Sequence, residues 1–328
     1  MNKDKGILIN AINASKAHKK TGEYIRNIIK PGMVLKDIAI LIENKIKEEI
    51  FFDINNPLNG GISFPVGLSL NNCAAHYTPN YNESNIILQE DDILKIDYGT
   101  HIYGTIIDSA FTLHFNPKYD EFIQISKNIT NYAVSLCGPD VILGEIGTDI
   151  EEYIKSKEIM IDNKIYQLKT MRDLSGHLIS KYEIHAGKAV PNIHINYKLR
   201  MDPHEFYAIE PFITTGNGYT ILKSPYSHFM LNKYHEKINE KNNLKNDEIK
   251  LYDIIKKNYD TLPFCQRWLY ELNNDLNHDH LLKKMENKKI LNSYPPIYDI
   301  DKSIISQFEH TIFIKENGII KLTENNFY

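Results

Sequence analysis

Cysteine is scarce: only Cys73, Cys137 and Cys265 occur in 328 residues, odd in number and widely spaced. That set suggests neither a disulfide framework nor a thiolate zinc site, and it makes a reducing compartment the expectation. Long apolar runs are missing too. None approaches the roughly 18 residues of a membrane span, and Met1-Asn2-Lys3-Asp4-Lys5-Gly6 opens onto a mixed stretch, not the apolar heart of a signal peptide. A cytoplasmic protein that needs no membrane is expected. Neither sign of charge is in excess, since 38 Lys and Arg stand against 42 Asp and Glu for a net -4, so no global field draws nucleic acid. A short-period repeat, a Gly-rich phosphate loop and low-complexity tracts are absent as well. What is left is an ordinary globular composition, 42% hydrophobic and 24% charged, long enough for one large α/β unit or two ordinary domains.

Apolar residues recur at helical spacing from about Ile7 to Ile29 and again from Leu35 to Ile50, with Pro31-Gly32 as the stop between. Asn55 to Asn72 reads as loops around short strands and runs into Cys73-Ala74-Ala75-His76-Tyr77-Thr78-Pro79. Asp92 to Phe115 alternates and predicts a β-hairpin. Ser126 to Cys137 and Gly144 to Lys155 predict helices; Tyr166 to Leu168, Ile184 to Val190, Phe206 to Thr214 and Phe308 to Lys315 predict strands. From about Asn232 to Asn292 the chain turns Lys, Asn, Glu and Leu rich with helical periodicity and no chemical constellation, as expected of a helical insertion.

The hairpin carries the first chemical argument. If its turn centres on Ile102-Tyr103, Asp97 and Asp108 face each other directly, with Cβ atoms roughly 4.5 to 5.5 Å apart. Two carboxylates so placed repel unless a proton or cation intervenes. A bulge that shifts the register would instead leave both acids solvated, and the spacing alone does not decide between the two. Both acids sit in strongly apolar strands, as do Glu210 in Tyr207-Ala208-Ile209-Glu210-Pro211-Phe212 and Glu309 in Gln307-Phe308-Glu309-His310-Thr311. Buried carboxylates need partners, and no matching set of Arg or Lys lies in equivalent runs, so metal coordination is the economical explanation. His177, in the glycine-flanked turn Ser175-Gly176-His177, could complete an oxygen-rich site with one imidazole, although a lone histidine is more often structural. Four carboxylates and one histidine suit a pair of divalent ions, Mn, Fe, Co or Zn, better than a structural zinc.

Four motifs then make a family resemblance specific: Asn71-Asn72-Cys73-Ala74-Ala75-His76-Tyr77-Thr78-Pro79, Lys95-Ile96-Asp97-Tyr98-Gly99-Thr100-His101, Ile184-His185-Ala186-Gly187-Lys188 and Gln307-Phe308-Glu309-His310-Thr311. In order and spacing they resemble the type 2 methionine aminopeptidases over nearly the whole chain. The resemblance implies an α+β pita-bread fold, a pseudo-twofold sheet covered by helices, as one catalytic domain over 1–328 with a helical subdomain inserted at 229–293. It implies removal of the initiator methionine through two divalent ions held by Asp97, Asp108, His177, Glu210 and Glu309. His76 and His185 would flank the scissile bond, His76 also being the residue matched to the one alkylated by fumagillin-type epoxides. Phe64, Ile184, His228 and Tyr294 would line the methionine pocket, an apolar and aromatic set that suits a soft thioether. Pro263 departs from the Ala more common in relatives and leaves the pocket's shape open. The implied partners are nascent polypeptides with an N-terminal methionine, met at the ribosome or away from it, with no nucleic acid required; the implied state is a monomer without the long charged N-terminal extension of larger relatives.

In the mechanism so implied, Glu210 accepts the proton of a metal-activated water, His185 stabilises the oxyanion and His76 assists the leaving amine. Two competitors remain open to test: a proline-specific peptidase of the same fold, separated by Met-Ala against Xaa-Pro cleavage, and a non-enzymatic relative of the proliferation-associated kind, which would bind no metal.

Overall fold

The structure is a computed structural model that describes residues 3–237 and 244–324. Of the expected 1–328 domain and 229–293 insertion, residues 1–2, 238–243 and 325–328 lie outside the described residues.

The chain runs helix, helix, strands, and then does so again. Lys3–Ile28 and Leu35–Ile50 are the first pair of helices, Asp120–Leu136 and Leu143–Lys155 the second. Leu35–Ile50 forms where Leu35, Ile38, Ala39, Ile42 and Ile46 repeat at helical spacing and are all buried. It ends at Phe51, whose left-handed backbone (φ 57°) returns its N–H to the Lys47 and Glu48 carbonyls. The first pair packs on strands from Gly60 to His114, the second on strands from Lys169 to Gln307. One apolar core, with Ile42, Leu68, Tyr98, Phe111, Ile146 and Ile312 among its members, fills the space between helices and sheets of both halves.

The hairpin Ile93–Ile102 and Thr105–His114 turns one residue later than the sequence suggests. Ile102 pairs with Thr105, so Tyr103 (φ 48°) and Gly104 (φ 76°) form the turn, a two-residue loop with both centres left-handed. Gly104 also leaves room for the Tyr182 ring, which a Cβ there would meet at 2.4 Å. Direct opposition of Asp97 and Asp108 is thereby corrected: Asp97 faces Ala110 and Asp108 faces Gly99. The two acids keep the same sheet face but as diagonal neighbours.

A five-stranded antiparallel sheet forms the other half, in the order Ala189–Pro191, Ser175–Ile179, Phe206–Ile209, His310–Ile314, Ile319–Lys321. His177 therefore lies within a strand and not in a turn. Gly176 misleads at the level of sequence because it serves close packing: a Cβ on it would meet the Ala208 carbonyl oxygen at 2.3 Å. Only the end of the Ile184 to Val190 run is a strand; residues 184–188 form a loop in which Gly187 takes φ 98°.

Between His228 and Tyr294 the described residues form the helices Asn246–Asn258, Gln266–Leu272 and His278–Asn287, packed around their own apolar cluster. Phe264–Cys265 joins His228–Leu231 and Leu291–Tyr294 in a small sheet at the base of this segment. A two-pronged ion pair ties the segment to the second helix: Arg267 Nη1 and Nη2 donate to Glu43 at 2.7 and 2.6 Å, with both side chains 3% exposed. Arg267→Ala leaves a buried carboxylate without its cation and is expected to cost about 3–5 kcal/mol in denaturant unfolding. Glu43→Leu with Arg267→Met, which removes both charges, should recover most of that loss.

Candidate metal centre

Each acid of the candidate set is delivered by a different stretch of backbone. Asp97 and Asp108 come from the two strands of the hairpin. Glu210 falls between Phe206–Ile209 and Phe212–Thr214, and Glu309 between Ile305–Gln307 and His310–Ile314, so neither is inside a continuous strand. Ile209 pairs with His310 on one side of that break and Phe212 with Gln307 on the other, in the same register. Glu210 consequently stands across from Glu309. Pro211, which has no N–H to give a ladder, follows Glu210 and accounts for the break. The directly opposed carboxylates expected of the hairpin occur here instead.

The hairpin's backbone locks the two halves together. Thr311 Oγ1 accepts from the Asp108 N–H at 2.8 Å and donates to the Asp108 carbonyl at 2.5 Å; the Glu309 N–H donates to the Ala110 carbonyl at 2.9 Å. Asp108, His177 and Glu309 offer ligand atoms that all lie within 4.8 Å of one another. His177 Nε2 is 3.5 Å from Asp108 Oδ2 and 3.4 Å from Glu210 Oε1. Asp97 and Glu210 line the same cavity.

Hydrogen-bond accounting shows what the cluster wants. Gln307 Nε2 donates to Glu210 at 3.2 Å and to Glu309 at 3.4 Å. Asp97 Oδ1, Asp108 Oδ1 and Glu309 Oε1 are buried without any partner. Burial, followed by repulsion from Asp108, drives the carboxyl groups of Asp97, Glu210 and Glu309 well above the usual range, and burial pushes Asp108 up to about 7. Burial also pulls the His177 imidazole down to about 4, so it offers a neutral ring rather than an ion-pair partner. Every group is displaced toward its uncharged form, so holding these carboxylates ionised calls for a compensating cation. One buried lysine does occur in such a run, contrary to the sequence argument: Lys95 is fully buried, but its Nζ donates to the Asn71 carbonyl at 2.7 Å and burial lowers it to about 7. It compensates a backbone oxygen and leaves the acid cluster to a metal. The residues present fit divalent cations.

The cavity above the cluster has a volume of about 480 Å3 and is lined by ten of the eleven predicted site residues; the eleventh, Glu309, is in the acid cluster. The His185 ring meets His177 edge-on with centroids 4.3 Å apart. Solvent reaches it through the mouth, yet desolvation and the neighbouring His177 hold its imidazole below the ordinary value. His76 sits in a left-handed backbone (φ 63°), an uncommon conformation for a non-glycine residue, and its ring is 5.8 Å from that of His228 and 5.9 Å from that of Tyr294. Burial, then His185, lowers its imidazole to about 4. Ser227 Oγ donates to the His76 carbonyl at 3.0 Å and lies 3.1 Å from His228 Nδ1, fixing both. Phe64, Ile184, His228 and Tyr294 line the cavity together with Met230 and Pro263. Sequence reasoning missed Met230, Ile297 and Gln307; the last stands in the Gln307-Phe308-Glu309 motif, two residues from a ligand candidate and so on the same side of the chain.

The model of metallopeptidase family M24 matches residues 11–231. Methionine aminopeptidase 2 of Podospora anserina is 41% identical over 309 residues, covering 92% of this chain and 68% of that protein. Methionine aminopeptidase 2 of Encephalitozoon intestinalis is 38% identical over 330 residues, 99% of this chain and 89% of that one. Among solved structures, a thermophilic Arx1 superposes with a TM-score of 0.78 at 17% identity, covering 98% of this chain and 92% of that one. Methionine aminopeptidase of Thermotoga maritima gives 0.64 at 19% identity, covering 98% and 97%. At those identities the structures speak for the fold alone. The chain belongs to metallopeptidase family M24 and within it to the methionine aminopeptidase 2 group, metal-dependent pita-bread aminopeptidases that remove the N-terminal methionine of peptides and proteins.

Proposed function

We propose that Asp97, Asp108, His177, Glu210 and Glu309 hold two divalent ions, drawn from Mn, Fe, Co or Zn, at which the methionyl bond is hydrolysed. The observation that carries this is the grouping of Asp108, His177 and Glu309 beside Glu210, with carboxylate oxygens of Asp97, Asp108 and Glu309 buried without partners. When bound, the ions supply Lewis acidity that makes water a nucleophile near neutral pH. Glu210, held by Gln307 and beside His177, accepts the water's proton. His185 donates to the oxyanion that develops on the scissile carbonyl, and neutral His76 hands a proton toward the leaving amine. Phe64, Ile184, His228 and Tyr294 bind the thioether and exclude water from it.

His76 is also the candidate nucleophile toward fumagillin-type epoxides. The substrates are nascent polypeptides, and the active species is a monomer working in the cytoplasm. Residues 229–293 act as an inserted subdomain whose Pro263 and Met230 complete the methionine pocket. Metal analysis of chelated and reloaded protein, run beside release of methionine from Met-Ala-Ser, tests the two-ion site. Two ions per chain at full activity are expected. Full activity after complete metal removal would overturn it, and a single ion at full activity would reduce the site to one metal.

A further inference from the structure

One wall of the cavity continues beyond its mouth. In the three-stranded sheet of Ile221–Leu222, Ile297–Tyr298 and Cys73–Ala75, Leu222 is opposite Ile297 and Ile297 is opposite Ala75. Directly opposed residues share a sheet face. Ala75 and Ile297 line the cavity, so the same face runs on to Leu222, about 5 Å further by the spacing of neighbouring strands. Among the described residues Ile221–Leu222 is the edge of that sheet, with a partner strand on one side only.

This edge is apolar where a solvated edge is ordinarily charged. Leu222, on the cavity's side of the sheet, is 63% exposed, and Ile221, which follows the alternation to the other side, is about two-fifths exposed. Scattered apolar residues on a surface are unremarkable, but Leu222 continues the face of a binding cavity and extends its apolar wall. The segment is also held in place by the cavity's own lining. Asp173, a lining residue, accepts from the Thr220 N–H and hydroxyl at 3.1 and 3.0 Å; the Arg172 N–H donates to the Gly218 carbonyl at 2.8 Å, and the Lys223 N–H to the Pro296 carbonyl at 3.1 Å. A ligand would meet it already ordered.

A cavity of about 480 Å3 is the size of a small-ligand site, so a polypeptide with its first residues inside must leave across the rim. We propose that the rim at Leu222 docks the substrate polypeptide just downstream of the scissile bond and selects apolar side chains at its third and fourth positions. The inference rests on the methionine-releasing reading of the cavity. The occupant is the substrate chain because the rim shares the cavity's wall and offers an open strand edge along which an extended peptide can pair.

The test compares kcat/KM for Met-Ala, Met-Ala-Ser-Ser and Met-Ala-Leu-Phe in the wild-type protein, Leu222→Ser and Leu222→Asp. The wild type is expected to favour Met-Ala-Leu-Phe over Met-Ala-Ser-Ser by about 5- to 10-fold, mostly through KM. Leu222→Asp should reduce that ratio to within about 2-fold and Leu222→Ser should fall between, with Met-Ala cleavage unchanged in both as a check on folding. A wild-type protein that cleaves Met-Ala yet shows no preference, or a Leu222→Asp protein that keeps the full preference, overturns the docking surface and leaves the methionine reading standing. Failure to cleave any of the three overturns the methionine reading itself.

Discussion

Glu309→Gln is expected to lower kcat for Met-Ala-Ser by on the order of 10³-fold or more and to cut the metal content below two ions per chain. Glu309 stands across the strand break from Glu210 and shares the three-residue cluster with Asp108 and His177, so its carboxylate is central to the set. A neutral amide keeps the volume and loses the charge that offsets a cation. The same substitution should act in the opposite direction once metals are stripped. In the metal-free wild-type protein, four buried or partly buried carboxylates repel one another, and chelation is expected to lower the thermal midpoint by several degrees through loss of ligand linkage. Glu309→Gln removes one of the repelling groups, so its metal-free form should melt at or above the metal-free wild type while its response to added metal shrinks. Calorimetry with and without chelator, alongside elemental analysis, reads both effects. Unchanged metal content together with unchanged turnover would remove Glu309 from the site.

Helical periodicity is local, and the boundaries at Leu35–Ile50 and Leu143–Lys155 agree with the apolar spacing to within a residue. Register is not local. Moving the hairpin turn by one residue, to Tyr103-Gly104, changed the partners of Asp97 and Asp108 without moving either to the other face, because the shift in pairing is even. The opposition of Glu210 and Glu309 lies 99 residues apart in sequence and depends on a ladder that Pro211 interrupts, so no single-segment pattern reveals it. Gly176 looked like a turn residue but makes room for the Ala208 carbonyl, a contact that exists only after folding. Gln307 was legible as part of a motif and silent as to role: its value is the amide it places between two carboxylates. Lys95 shows the converse limit, since a charged residue in an apolar strand serves a backbone carbonyl and not Asp97 two residues away.

His185→Ala separates a group that acts on substrate from groups that hold metal. Its ring contacts the His177 ring edge-on from a loop at the cavity wall. An imidazole kept neutral has an N–H to give, and a donor aimed at a developing oxyanion is worth about 10²–10³ in turnover. His185→Ala is therefore expected to lower kcat by that factor while KM stays within about 3-fold and two ions per chain are retained. His185→Gln, which restores an N–H donor at similar reach, should recover part of the loss; a purely structural role for the ring would show no such ordering of Ala below Gln. Because the group works in its neutral form, wild-type turnover should carry no requirement for a protonated His185 as pH rises from 6 to 8, and the alanine variant should keep the shape of the profile while losing its height. Metal loss in parallel with activity would make His185 a ligand, and undiminished turnover would place the oxyanion contact elsewhere in the cavity.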